Sequence, residues 1–167
     1  MLTSKELRYF TLSCGLLLVP VILWNAAFAS RLPPMFALSE FWRDIPVPLG
    51  LAENVLRVFV FVLPFAMPLS VGSVGQRRGL VVFVLGSLVY FGSWLPLMLA
   101  PHSTWSTGVL GAAAPAYTPA IWLVGIGMLG RRLYWGRRYR WWFYLVGGAA
   151  FLVVHIVHTL IVYARNQ

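Results

Sequence analysis

Residues 131–165 read RRLYWGRRYRWWFYLVGGAAFLVVHIVHTLIVYAR, and this tract decides what kind of chain it belongs to. Five arginines crowd its first ten residues. Residues 142–163 then stay apolar for about the 20 residues that cross a hydrocarbon core of about 30 Å. Four more runs of the same kind lie at 9–29, 51–71, 80–100 and 109–129. The expectation is therefore an all-α, polytopic membrane protein: one bundle of five transmembrane helices using residues 1–167 as a single domain.

Composition agrees. The 167 residues are 60% hydrophobic and 10% charged, with a mean hydropathy of +0.79, which is more apolar surface than one small soluble core can bury. The longest stretch between the runs, 30–50, is too short to build a core of its own. A net charge of +9 would suggest nucleic acid in a soluble protein. Here the basic residues stand mostly at the ends of apolar runs, so the expected partners are membrane lipid headgroups and not nucleic acid. Cys14 is the only cysteine, which excludes an intramolecular disulfide and any CxxC redox or zinc motif, and it is expected to pack as a small apolar residue.

The arginines also set an expected topology. Lys5 and Arg8 precede the first run, Arg77 and Arg78 separate the second from the third, and Arg131, Arg132, Arg137, Arg138 and Arg140 separate the fourth from the fifth. These alternate gaps hold nine of the thirteen basic residues, leaving Arg31, Arg43, Arg57 and Arg165 for the other side. The positive-inside rule then places the N-terminus in the cytoplasm and the C-terminus outside, in a plasma membrane or bacterial inner membrane. Tyr134, Trp135, Tyr139 and Trp141 alternate with the last five arginines, as suits a turn at headgroup depth. Lys5, Arg8, an apolar stretch and Ala27-Phe28-Ala29 also match a cleavable secretory signal. The stretch continues to full span length, so it is read as the first retained helix.

Between the first two runs, Pro33 and Pro34 open a segment with Met35, Leu38, Phe41, Trp42 and Ile45 at helical spacing. Glu40, Arg43 and Asp44 fall largely on the other face, so a short interfacial helix is expected, ended by Pro46-Val47-Pro48. It is either a lid or a plain surface connection. Pro64 and Pro68 in the second run, and Pro115 and Pro119 in the fourth, are expected to bend their helices. Small residues at 111–116, then Gly125, Gly127 and Gly130, match Gly147 and Gly148 of the fifth run, so the fourth and fifth helices are expected to pack closely. No internal or inverted repeat is visible.

All three histidines and three of the four acids fall on the outer side of this topology. Glu53, Asn54 and Arg57 open the second helix; His102 and Trp105 lie in the third-to-fourth gap; His155 and His158 lie in the outer half of the fifth. Counting about 1.5 Å per residue back from Tyr163 puts His158 about 8 Å and His155 about 12 Å below the helix end. Arg57 is at a similar depth on the same count, about 9 Å in from Leu51. Glu53 and Arg57 are spaced to share one helix face, and His155 and His158 another. Ionisable groups at membrane depth face the bundle interior or an aqueous cavity. The bland alternatives are an interfacial ion pair for Glu53 and Arg57, packing histidines on the fifth helix and a turn residue at His102.

Three chemistries fit these residues to different degrees. His155 and His158 on one face, with either His102 or Glu53 added, are an acceptable ligand set for a divalent metal such as zinc or copper, without a complete metal motif. A bis-histidine haem is disfavoured, because the only histidines within helices sit on one helix. Ser103, Thr104 and Thr159 neighbour histidines in sequence, which does not establish a nucleophile. Ion-coupled transport is disfavoured by the lack of a carboxylate near the midplane, and no glycine-rich phosphate loop is present. The expected function is binding of a lipid or small amphipathic ligand in an outer-leaflet cavity between helices two, four and five. Glu53, Asn54, Arg57, His102, Trp105, Tyr117, His155 and His158 would form it, with Trp42 and Trp94 in its lining. One alternative is a small intramembrane enzyme, metal-assisted or not, acting on a lipid-linked substrate; another is a structural or accessory subunit docked on a second membrane protein.

Overall fold

A computed structural model describes residues 12–135 and 139–167. Lys5, Arg8 and the first residues of the expected first span lie outside the described residues, as do Arg137 and Arg138. The described secondary structure is helical, with a single isolated antiparallel bridge between Ser13 and Pro68. Among the described residues, four helical segments are long and apolar enough to cross a membrane: Cys14–Arg31, Val47–Ala66, Val74–Leu99 and Trp141–Arg165. The fold is that of a multi-pass membrane protein.

The first segment is helix α1 (Leu18–Phe28) between two 3-10 turns, Cys14–Leu17 and Ala29–Arg31. Its beginning is tied to the chain that leaves the second segment. The Cys14 amide donates to the Met67 carbonyl at 2.8 Å, and the Leu69 amide donates to Leu12 at 2.6 Å. The expected interfacial helix is much shorter than its apolar spacing suggested: a 3-10 turn at Pro34–Phe36, then one turn of helix α2 (Leu38–Phe41). Asp44, at φ 52°, reverses the chain there. Pro46 and Pro48 do not end a helix. They begin helix α3 (Val47–Val62), where a proline lacks only an amide that would have no partner within the helix. Pro64 ends α3 in a 3-10 turn, Leu63–Ala66, so this segment stands several residues earlier than the expected 51–71.

Helix α4 (Val74–Leu99) also starts early, because Ser73 and Gln76 form a reciprocal capping box. The Gln76 side-chain amide further donates to the Leu129 carbonyl at 3.2 Å. The expected fourth span, 109–129, is broken into α6 (Val109–Ala112), α7 (Ala114–Tyr117) and α8 (Pro119–Leu129), preceded by the single turn α5 (Thr104–Thr107). Pro115 and Pro119 cause the interruptions by removing amides and crowding the carbonyls one turn back. Thr118 Oγ1 donates to the Ala114 carbonyl at 2.8 Å beside the second break. The chain closes with helix α9 (Trp141–Arg165).

The closest helix packing is between α4 and α8, not between the fourth and fifth apolar runs. A methyl group on Gly86 would lie 2.5 Å from the Trp122 backbone nitrogen, and one on Gly125 would lie 2.5 Å from that of Phe83. Gly127 does meet Leu145 of α9, and a methyl group on Gly148 would lie in ordinary contact, 3.7 Å, with Leu123 of α8, but Gly147 faces Phe59 of α3. Trp122, Ile126, Tyr144 and Leu18 are buried in the centre, and the Tyr144 hydroxyl donates to the Val60 carbonyl at 3.1 Å. Outward-facing residues such as Leu23, Val58, Leu88, Val146 and Val153 are apolar, as a lipid solvent requires.

Gly86→Ala and Gly125→Ala should each reduce stability in detergent by about 1 to 3 kcal/mol, since the new methyl meets backbone and not a flexible side chain. Gly92 has nothing within 4 Å of its added methyl, so Gly92→Ala should be neutral or slightly stabilising. Equal unfolding curves for all three variants would contradict the packing.

Candidate functional site

At the bundle end that carries residues 30–50, the α3 carboxylate Glu53 is fully buried. Arg57, one turn along, donates to its Oε1. His155 Nδ1 lies 2.9 Å from the same oxygen, and His158 Nδ1 is hydrogen-bonded to Oε2. The spacing of four on α3 and of three on α9 therefore brings all four residues to one facing pair of helix surfaces. Burying a carboxylate is strongly unfavourable unless its oxygens are satisfied, and here each is.

The chain before α3 closes over this cluster. His158 Nε2 donates to the Phe41 carbonyl at 2.7 Å, and the Phe41 ring lies 4.2 Å from the imidazole. Trp42 packs edge-on to His158 at 4.8 Å, with the Arg57 guanidinium 5.5 Å from its ring centre. Arg165, at the end of α9, donates to the carbonyls of Glu40 and Arg43. Glu40 and Arg43 are themselves paired at 2.9 Å. The segment is thus a cover over the site, held by α9 at two points.

The hydrogen-bond partners determine where protons sit. A carbonyl only accepts, so His158 Nε2 carries hydrogen. Its Nδ1 contact with Glu53 needs a second proton, resident on either the imidazole or the carboxyl group. Oε1 already accepts from Arg57, so His155 Nδ1 is the donor in its own contact. His155 Nε2 is then the imidazole nitrogen of the cluster left for another partner. Phe151 stacks on the His155 ring at 5.3 Å and nearly parallel, holding that edge in place.

His155 borders two adjoining cavities. The larger, about 400 Å³, lies under the cover and is walled by Phe41, Trp42, Trp94 and Ala116. The smaller, about 260 Å³, is walled by Val21, Phe61, Pro119, Trp122 and Phe151. Asn25, Arg57, Tyr90, Pro115 and His155 line both. Residues 21, 61, 119 and 151 each stand four positions from shared residues 25, 57, 115 and 155, on the side away from the cover. The smaller cavity therefore lies about one helical turn, roughly 6 Å, deeper. At the waist the Tyr90 hydroxyl donates to Asn25 at 2.5 Å, and the indole N–H of Trp122, a residue of the deeper cavity's wall, is buried without a hydrogen-bond partner among the described residues.

Of the residues expected in the site, the structure brings together Glu53, Arg57, His155 and His158, with Trp42 and Trp94 in the lining. Asn54 points outward because it is one position, about 100°, around the helix from Glu53. Trp105 is 48% exposed and outside both cavities, while the Tyr117 hydroxyl donates to the Leu110 carbonyl at 3.2 Å. His102 lines a separate cavity of about 540 Å³ with Arg31, Thr107 and Tyr163. His102, His155 and His158 therefore do not converge as metal ligands, and Glu53 and Phe41 already occupy three of the four ring nitrogens of the α9 pair. Among the described residues, no group of three or more His, Cys, Asp or Glu is arranged to hold a metal ion. The sequence reading missed Asn25 and Tyr90. A lone amide inside an apolar run was the available signal for Asn25; Tyr90 and the Phe41 carbonyl carry none. Compared with models of known protein families, with curated proteins and with solved structures, the chain matches none.

Removing His158 leaves a buried carboxylate oxygen without its donor. His158→Ala should therefore lower unfolding free energy by about 2 to 3 kcal/mol, against about 1 kcal/mol for His155→Ala, whose partner oxygen keeps Arg57. Denaturant titration in detergent measures both, and the reverse order would contradict the assigned bonding.

Proposed function

We propose that this protein binds a lipid or small amphipathic ligand in the paired cavities, which open toward the outer leaflet of a plasma membrane or bacterial inner membrane. The observation that carries the reading is the waist shared by the two cavities, where polar groups from four helices meet between apolar walls. That layout suits a ligand with one polar group on an apolar body. The bundle is completed as five crossings by the proline-broken segment through α8, with the N-terminus cytoplasmic and the C-terminus outside. The nine-to-four division of basic residues supports that orientation.

An enzymatic reading on a lipid-linked substrate has one specific support: Glu53 orients His155 so that Nε2 is available as a base. The hydroxyl of Thr159, the nearest candidate nucleophile in sequence, instead donates to the His155 carbonyl at 2.9 Å. Binding is therefore the better-supported function. An accessory role on another membrane protein is compatible with it.

Protein extracted in mild detergent should carry a co-purifying amphiphile detectable by native mass spectrometry. His155→Ala and Trp42→Ala should each lower its occupancy or affinity by about tenfold, the effect of losing about 1.4 kcal/mol. Turnover of a lipid-linked substrate abolished by His155→Ala would favour the enzyme. Purified protein that neither retains nor takes up any amphiphile would defeat the binding reading.

The orientation has its own test in a Cys14→Ser background. Cysteine at exposed Thr104 should react with an impermeant maleimide on intact cells, and cysteine at exposed Arg132 should react only after permeabilisation. The opposite labelling pattern would invert the proposed topology.

A further inference from the structure

We infer that the ligand is an amphipathic anion, whose phosphate or carboxylate head sits against Arg57 and His155 at the waist between the two cavities. The inference rests on the binding reading above and adds the charge of the head.

It follows from counting charge in the cluster. Three protons are demanded by the bonds already described: one between Glu53 and His155, one between Glu53 and His158, and one on His158 Nε2 toward the Phe41 carbonyl. Two neutral imidazoles account for two of them. The third offsets the single negative charge of the carboxylate, wherever along the Glu53–His158 contact it resides. The carboxylate and the two histidines are together neutral, and Arg57 is always charged. The cluster therefore keeps one uncompensated positive charge, and a proton on His155 Nε2 would only raise it.

The surrounding charges do not remove it. On the cover, Glu40 pairs with Arg43, and Asp44 lies 3.8 Å from that same arginine. Arg165 provides the second positive charge there, so residues 40, 43, 44 and 165 balance among themselves. Among the described residues, no other carboxylate lines either cavity. Arg57 donates to Glu53, but the net positive charge left on the cluster, walled by aromatic rings, is unfavourable at membrane depth unless a further anion meets it. Arg57 offers a planar set of donors matched to phosphate or carboxylate oxygens. The apolar walls one turn to either side require that the anion be attached to an apolar body.

The test uses the full chain in phosphatidylcholine nanodiscs with three probes: 1-oleoyl lysophosphatidate, monoolein with the same acyl chain, and inorganic phosphate. Lysophosphatidate should bind at least about tenfold tighter than monoolein, and phosphate alone should not compete at comparable concentration. Arg57→Gln should abolish the difference in affinity between lysophosphatidate and monoolein. Arg132→Gln, a basic residue away from the cavities, should change neither. Should Arg57→Gln fail to fold, the comparison of the two lipids on the native chain still decides. Equal binding of both lipids, or an equal loss in Arg132→Gln, would overturn the anionic head while leaving amphiphile binding intact. No binding of either lipid would defeat the binding reading itself. Phosphate binding as tightly as lysophosphatidate would overturn both in favour of a free-anion site.

Discussion

Burial of the Glu53 carboxylate is the constraint on which the arrangement depends. A carboxylate enclosed at membrane depth is unfavourable by several kcal/mol unless donors surround it. Those donors come from three places: Arg57 on the same helix, His155 and His158 on α9, and indirectly the chain near Phe41, which fixes His158 from its other side. Satisfying one group thus sets the rotation of α3, the rotation of α9 and the path of the connection between the first two spans. Tyr144 and Arg165 add bonds from α9 to Val60 and to the cover, and the carboxyl group is the point at which polar side chains of α3 and α9 meet.

Room for a cavity beside that cluster comes from the other half of the molecule. Gly86 and Gly125 let α4 and α8 approach to backbone contact. The helix that would continue α8 is interrupted at Pro115 and Pro119, with the small side chains of Ala112, Pro115 and Ala116 facing the space beyond. Close contact low on α8 and a bend with small side chains above it separate the chain there from α3 and α9. The cavity is a consequence of proline and alanine placement as much as of the polar residues that line it.

Much of the site was legible because helical periodicity and rise are fixed. Spacings of four and three put Glu53 with Arg57 and His155 with His158 on single faces, and the rise placed them at similar depth. His102 was misplaced because a loop has no such ruler: adjacency to the third-to-fourth gap says nothing of which side of the 31–35 chain the imidazole falls on. The fold was legible as apolar runs, but boundaries shifted wherever capping decided them. Ser73 and Gln76 extended α4, and Pro46 and Pro48 started α3 where a break was expected. The cover was shorter than its amphipathic spacing implied, since the turn at Asp44 and the pull of His158 and Arg165 outweigh a single turn's helix propensity.

The cover is fastened through backbone oxygens. His158 and Arg165 grip the carbonyls of Phe41, Glu40 and Arg43, none of which depends on the side chain its residue bears. Such a latch asks nothing of the side chains it holds and much of its two donors on α9: among residues 40–43 it is the packing of the Phe41 and Trp42 rings on His158, and not the latch, that constrains the sequence. It follows that Glu40 and Arg43 can change without loosening the latch, whereas the histidine and arginine of the last helix cannot.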